Sequence, residues 1–338
     1  MNIYDLTLNE LEEYFLSIGE KKYRATQVFD WLYEKRVSSF SDMSNLSKEI
    51  ILRLEKDFSL DRPVIVKEEC DEGVSKYLFK LSDNEYIESV LMWHNYGLSL
   101  CISSQVGCNM GCSFCESGKR RKVRNLKASE MLLQMILVSE KIKMRISHIV
   151  IMGIGEPFDN FSNLVVFIEN CTNHLGLNIG SRHITVSTCG IVPKIYEFAD
   201  LKYQVNLAIS LHAAYDELRD KLMPINKVYP LDEVIKAVKY YISKTNRRVT
   251  FEYIMLRGVN DRSDDALKLA SLVKGLNAYI NLIPYNEGSS DLYKRTKKEQ
   301  IMKFYDIIKK EGVNVTIRRE FGSKISAACG QLRSKKEE

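Results

Sequence analysis

Cys101-Ile102-Ser103-Ser104-Gln105-Val106-Gly107-Cys108-Asn109-Met110-Gly111-Cys112-Ser113-Phe114-Cys115 is the stretch on which the fold turns. It ends in Cys108-x3-Cys112-x2-Cys115, three soft thiolates on one short loop with no fourth ligand nearby. A structural zinc site is normally closed by four Cys or His ligands. A fully cysteinyl 4Fe–4S site also uses four. Three thiolates would therefore leave one iron of a cluster open to a substrate or cofactor. The plainer alternatives are an incomplete zinc knuckle or chance clustering in a chain with eight cysteines.

Outward from this loop the pattern becomes regular. Leu98 to Ser103 reads as a strand, followed by candidate strands at His148 to Met152, His183 to Ser187 and Val205 to Ser210. Val249 to Ile254, Tyr279 to Ile283 and Val313 to Ile317 continue the series. Helical spacing lies between them at Ala128 to Lys143, Leu231 to Ser243, Asp264 to Lys274 and Lys298 to Glu311. Such alternation predicts parallel βαβ units and an α/β fold. Polar residues recur just after strand ends: Gly153-Ile154-Gly155-Glu156, Ser187-Thr188, Ser210-Leu211-His212 and Tyr285-Asn286. In a β/α barrel those positions converge on the C-terminal face, where active sites are built.

The first ~90 residues read differently. Leu8 to Ile18, Arg24 to Lys35 and Leu46 to Asp57 have helical apolar spacing, with Ser41 or Ser47 as candidate caps. Val64 to Val66, Lys76 to Leu81 and Tyr86 to Met92 read as strands, the last two separated by Ser82-Asp83-Asn84. The expected division is a helical unit over 1–60, a β extension over 61–96 and a catalytic domain over 97–338.

The 338 residues are 45% hydrophobic and 28% charged, ordinary for a globular protein. No stretch approaches the ~18 unbroken apolar residues of a membrane span, and the polar, acidic start lacks a signal core. A cytoplasmic location is expected, where thiols stay reduced. Four of the eight cysteines lie between Cys101 and Cys115, unlike a secreted disulfide framework. A net charge of +5 does not by itself imply nucleic-acid binding. The run Lys119-Arg120-Arg121-Lys122-Val123-Arg124 and the pair Arg318-Arg319 are local exceptions. Beside the cluster loop, that run is either a phosphate-contacting surface or a solvated loop.

The order and spacing of the three cysteines are the radical-SAM signature, of a cluster that binds S-adenosylmethionine (SAM) and cleaves it reductively. Nearly the whole chain, moreover, resembles the RlmN and Cfr family of radical-SAM RNA methyltransferases. The resemblance rests on Tyr23-Arg24-Ala25-x-Gln27, Ile87-Glu88-Ser89-Val90, the run from Cys101 to Cys108, and Gly153-x-Gly155-Glu156-Pro157. Ser187-Thr188-x-Gly190, Ser210-Leu211-His212-Ala213, Pro224-Ile225-Asn226 and Gly258-Val259-Asn260-Asp261 extend it. Asn281-Leu282-Ile283-Pro284-Tyr285-Asn286 and Ala327-Ala328-Cys329-Gly330-Gln331-Leu332 complete it.

The resemblance implies a partial (β/α)6 radical-SAM barrel with a small N-terminal helical accessory domain that binds RNA and a short β extension. It implies methylation of an adenosine carbon in 23S rRNA near the peptidyl-transferase centre, with a tRNA adenosine as a further substrate of some members. That carbon has no nucleophilic lone pair, so ordinary methyl transfer fails and two equivalents of SAM are used. By resemblance Cys108, Cys112 and Cys115 hold a 4Fe–4S cluster. Gly155, Glu156, Ser187, Ser210, Leu211, His212 and Asn286 bind SAM. Cys329 carries the methyl group, Cys101 resolves the adduct through a transient disulfide, and Glu88 is the general base. Cys70, Cys171 and Cys189 match no family role. An electron donor such as flavodoxin or ferredoxin is implied; a monomer is expected from the absence of a long heptad.

Some positions depart from the family pattern. Glu116-Ser117-Gly118 and the basic run replace the usual segment after Cys115, which has a further glycine, and Lys324-Ile325-Ser326 replaces an acidic pair. Pro157, His212-Ala213 and Phe251-Glu252-Tyr253 favour the RlmN type, which methylates carbon 2. Trp93-His94-Asn95 resembles neither type. The alternatives are a Cfr-type carbon-8 methyltransferase conferring antibiotic resistance and a non-catalytic RNA-binding or ribosome-assembly factor. A radical-SAM enzyme acting on a protein or small molecule is a third.

Overall fold

A computed structural model describes residues 1–287, 292–318, 325 and 330–332. Cys329 lies outside the described residues, as do Arg319, Lys324 and Ser326.

The chain opens with three helices, α1 (Leu8–Ser17), α2 (Tyr23–Phe29) and α3 (Lys48–Asp57). Thr7 and Glu10 close a reciprocal capping box at the start of α1. Ser47, rather than Ser41, caps α3 by accepting from the Ile50 N–H at 3.3 Å. The helix expected over Arg24 to Lys35 is α2 continued by one π turn at Asp30–Glu34.

Strands β1 (Val64–Asp71), β2 (Val74–Lys80), β3 (Tyr86–His94) and β4 (Gly97–Cys101) form an antiparallel meander. The short pair β5 (Gln105–Val106) and β6 (Arg124–Asn125) encloses the cysteine loop. Six β/α units follow from β4. Their helices are α4 (Ala128–Ile142), α5 (Phe161–Thr172), α6 (Val192–Ala199), α7 (Asp216–Leu222) with α8 (Leu231–Thr245), α9 (Ser263–Val273) and α10 (Lys298–Lys310). Their remaining strands are β7 (His148–Ile151), β8 (Ile184–Thr188), β9 (Asn206–Ser210), β10 (Val249–Met255) and β11 (Ala278–Pro284), with β12 (Val315–Ile317) last.

The sheet order is β1-β2-β3-β4-β7-β8-β9-β10-β11-β12, parallel from β4 onward. Among the described residues β12 does not pair back to β4, so the barrel is open, as the partial (β/α)6 reading requires. The β extension is continuous with this sheet, because Val90 pairs with Cys101 across β3 and β4. The core is also continuous. Tyr4, Phe15 and Leu32 of the helical unit share one buried cluster with Leu132 of α4 and Phe167 of α5. Asp5 accepts from the Ser129 N–H at the start of α4 at 2.9 Å, fastening the two units together.

Helices α5, α6 and α7 were not anticipated. The first carries apolar residues on more than one face, α6 has only eight residues, and α7 has seven, most of them charged. No helix among the described residues is long and apolar enough to cross a membrane.

Candidate active site

The cysteine loop hangs over the C-terminal ends of the parallel strands. Its stem is the β5–β6 pairing, and the basic run is its return leg: the Cys108 N–H donates to the Arg120 carbonyl at 3.0 Å. Four of the run's five cations are matched to carboxylates, and Arg121 is exposed with no ion pair among the described residues. Lys119 meets Glu116 at 2.5 Å, Arg120 meets Glu85 at 2.6 Å, and Lys122 meets Asp159 at 2.5 Å. Arg124 bridges Asp83 at 2.6 Å and Glu130 at 2.7 Å. These residues splice the loop to the β2–β3 turn, the Pro157 turn and the start of α4.

One pocket of ≈ 130 Å³ brings Cys108, Cys112 and Cys115 together with Gly155, Glu156, Ser187, Ser210 and His212. Gly155 has φ +110°, and a Cβ there would lie 2.8 Å from the Gln105 backbone nitrogen. Only glycine permits this approach of the β7 end to the cluster stem. Glu156 is buried, and its two oxygens accept from the N–H groups of Phe158 at 3.0 Å and Cys189 at 2.8 Å. Burial pushes its carboxyl upward while those two donors oppose the shift. Both oxygens keep acceptor capacity toward the pocket. Ser187 and Ser210 lie 3.5 Å apart at the ends of β8 and β9.

His212 is in the left-handed region at φ 58°. Burial drives its pKa down to about 3, so the ring is neutral. Its Nδ1 accepts from the Ile254 N–H at 3.0 Å, which leaves the proton on Nε2. Leu211 and Asn286 do not line this pocket. The Leu211 N–H is engaged by the Glu252 carbonyl and its own carbonyl by Arg219. The buried Asn286 Oδ1 has no hydrogen-bond partner, an acceptor left for a polar ligand.

The thiols fit a cluster. Burial pushes Cys108 up to about 12 and Cys112 well above the usual thiol range, and neighbouring thiolates raise both further. Such a set becomes triply anionic only against a strongly positive partner, and coordination to iron supplies one. No three His, Cys, Asp or Glu side chains among the described residues converge on a point that would hold one metal ion.

Cys101 faces a second part of the barrel, in an apolar cluster with Val90, Met92, Ile154, Ile325 and Leu332. The last two lie on either side of Cys329 in sequence. Gly330 and Leu332 also line the cysteine pocket, and the Glu116 N–H donates to the Gly330 carbonyl at 2.9 Å. Glu88 is two residues from Val90 on the same face of β3, buried, with Lys76 at 3.4 Å.

Sequence reasoning missed Arg219. It is fully buried on α7 and donates to the carbonyls of Cys189 at 2.7 Å, Ser210 at 3.2 Å and Leu211 at 3.1 Å, and to Asn226 at 2.8 Å. One guanidinium thus gathers the ends of β8 and β9 behind the pocket. The adjacent Pro224-Ile225-Asn226 motif was its only signal.

Comparison with known proteins gives a consistent answer. Residues 1–60 match the model of the ribosomal RNA large subunit methyltransferase N-terminal domain, and 102–270 match the radical SAM superfamily. A protein of Enterococcus faecalis named probable dual-specificity RNA methyltransferase RlmN is 54% identical over 99% of this chain and 96% of its own length. One of the same name from Geobacillus kaustophilus is 52% identical over 99% and 93%. The crystal structure of a radical SAM methyltransferase from Sphaerobacter thermophilus superposes with a TM-score of 0.94 at 41% identity, covering 99% of this chain and all of that one.

Proposed function

The chain belongs to the RlmN family of radical-SAM RNA methyltransferases, and from that premise we propose that it methylates carbon 2 of an adenosine in 23S rRNA at the peptidyl-transferase centre, using Cys329 as methyl carrier. The family implies a 4Fe–4S cluster and SAM. One observation carries the reading. The cysteine pocket and the Cys101 cluster adjoin, and Ile325, Gly330 and Leu332, flanking Cys329, border them.

Cys108, Cys112 and Cys115 would hold the cluster, which when bound supplies the electron for reductive cleavage of SAM. Gly155 gives room for the amino-acid end of SAM, and Glu156 accepts from its ammonium group. Ser187, Ser210, His212 and Asn286 offer polar contacts to the remainder, with the backbone at Leu211 behind them. Cys329 first takes a methyl group from one SAM by displacement, releasing S-adenosylhomocysteine. Its S-methyl group then loses a hydrogen atom to the 5′-deoxyadenosyl radical from a second SAM. The S-methylene radical adds to the adenine carbon, joining RNA to protein through Cys329. Glu88, kept beside the Lys76 ammonium, takes the proton from that carbon, and the one electron released would return to the bound cluster, oxidised when it gave its electron to SAM. Attack by Cys101 on the Cys329 sulfur breaks the C–S bond and leaves a disulfide, while the released carbon is protonated to a methyl group.

Residues 1–60 are assigned to RNA binding, with 61–96 as the β extension and 97–338 as the catalytic domain. The enzyme is further assigned to the cytoplasm as a monomer, with flavodoxin or ferredoxin as electron donor and a tRNA adenosine as a second substrate.

Anaerobic turnover of reconstituted protein with SAM, reductant and unmodified 23S rRNA, followed by nucleoside mass spectrometry, tests the reading. 2-Methyladenosine is expected; 8-methyladenosine would make this a Cfr-type enzyme. Neither product, with 5′-deoxyadenosine still formed, would mean that RNA of this kind is not the substrate. An iron signature without SAM cleavage would favour a non-catalytic RNA-binding factor.

A further inference from the structure

The opposite end of the barrel is open in a way that packing alone does not require. A (β/α) barrel normally fills its interior with layers of branched apolar side chains. Here the lower inner layer includes Ser99, Thr185, Asn206, Thr250, Asn281 and Thr316, one from each of six strands. These short polar side chains leave a cavity of ≈ 1050 Å³, reached from the N-terminal ends of the parallel strands. That exceeds the roughly 300–1,000 Å³ typical of a small-molecule pocket. The cavity shares Met152, Glu252 and Arg318 with the cysteine pocket, so those residues are the partition between the two.

Its rim combines cations with exposed rings. Arg247 and Arg248, in the loop before β10, line it, and neither forms an ion pair among the described residues. Arg247 donates to the Asn206 amide oxygen, and its Nε has no partner. Arg248 lies over the Tyr279 ring at 4.4 Å. Across the opening Tyr96 is 67% exposed and stacks on His94 at 4.6 Å with planes 8° apart. His148 meets the edge of Tyr96 at 5.0 Å and stacks on His183 at 4.3 Å. Unpaired guanidinium groups beside exposed flat rings are the chemistry of single-stranded RNA recognition: phosphates go to the cations and unstacked bases to the rings.

We propose that the RNA strand enters the barrel from this N-terminal end, with Arg247 and Arg248 taking phosphates, Tyr96 stacking a neighbouring base, and the target adenosine reaching the Met152–Glu252 partition from below. This entrance rests on the RNA-methyltransferase reading. It opposes that end to the cysteine loop, where four of the five cations of the basic run are already matched to carboxylates.

The test measures binding of unmodified 23S rRNA to the full-length protein across a KCl series. In R247A/R248A the affinity should fall about tenfold and the slope of log K against log salt should lessen by about 1.5, the share of two phosphate contacts. Removing two cations elsewhere, in K309A/K310A on α10, controls for net charge. Tyr96→Ala should raise KM for RNA about tenfold with little change in kcat, and Tyr96→Phe should restore it, because stacking needs only the ring. RNA-independent formation of 5′-deoxyadenosine separates lost binding from lost folding. An arginine-pair variant with the affinity and slope of wild type, or a neutral Tyr96→Ala, overturns this entrance while leaving the methyltransferase reading standing. Wild-type protein that binds no RNA yet cleaves SAM removes that reading and the entrance with it.

Discussion

The two ends of this barrel hold their cations in opposite ways. At the C-terminal end Lys119, Arg120, Lys122 and Arg124 each face a carboxylate within 2.7 Å, and Arg219 is buried among carbonyls. At the N-terminal end Arg247 and Arg248 face an amide and a ring, and no carboxylate among the described residues. The cavities differ in the same sense, ≈ 130 Å³ against ≈ 1050 Å³. A tight, charge-balanced end suits a cofactor that must be gripped identically on every turnover. A wide polar end with uncompensated charge suits a substrate that arrives and leaves. Density of basic residues in sequence therefore says little about where a polyanion binds; what matters is whether carboxylates have already claimed them.

The largest effects should appear in chemistry rather than affinity. Cys329→Ala should abolish methylation, at least 10³-fold, and form no covalent adduct, since the carrier sulfur is gone. Full methylation of RNA by that variant would end the carrier mechanism. Cys101→Ala should instead trap protein joined to RNA, visible after nuclease trimming as a mass shift; product release at the normal rate would free Cys101 of the resolving role. Neither variant should alter the salt slope of RNA binding, because neither removes a cation.

Next come the groups that shape the narrow end without touching the reacting atoms. Arg219→Met should destabilise the fold by ~3–5 kcal/mol, since several buried carbonyls lose their donor at ~1–3 kcal/mol each. Denaturant unfolding measures this, and a loss below ~1 kcal/mol would mean that water replaces the guanidinium. Gly155→Ala should raise KM for SAM at least tenfold, because its Cβ would collide with the Gln105 backbone at a φ of +110°. Unchanged SAM affinity would show that the β7 end can retreat from the cluster stem.

Much of the narrow end was legible because its chemistry is local in sequence. The three cysteines share one loop, and Gly153-Ile154-Gly155-Glu156 directly follows a strand, so spacing and strand periodicity carried both. Strand–helix alternation from Gly97 onward anticipated every strand of the parallel sheet for the same reason. Arg219 was hidden because Asp216-Glu217-Leu218-Arg219-Asp220-Lys221 reads as a solvated helix, and its partners lie on β8 and β9. The wide end was hidden altogether. His94, His148 and His183 lie on separate segments of the sequence, and only the adjacency of β3, β4, β7 and β8 stacks them around Tyr96. Long-range pairing also reversed the emphasis on the basic run, whose partners Asp83, Glu85 and Asp159 come from other turns.

The smallest expected effect is the sharpest test of the contrast. Replacing Arg120 and Lys122 by alanine removes two cations beside the cofactor end, as many as R247A/R248A removes at the other. If local charge alone governed RNA binding, the two double variants would flatten the salt slope equally. Compensation predicts otherwise: removing Arg120 and Lys122 exposes Glu85 and Asp159 rather than vacating phosphate sites. Each lost pair is partly exposed and should cost stability only ~0–1 kcal/mol. The salt slope should stay within ~0.5 of wild type, against the drop of about 1.5 at the wide end. A drop of one or more in R120A/K122A would mean that RNA pulls these side chains from their carboxylates, and that the polyanion also spans the cofactor end.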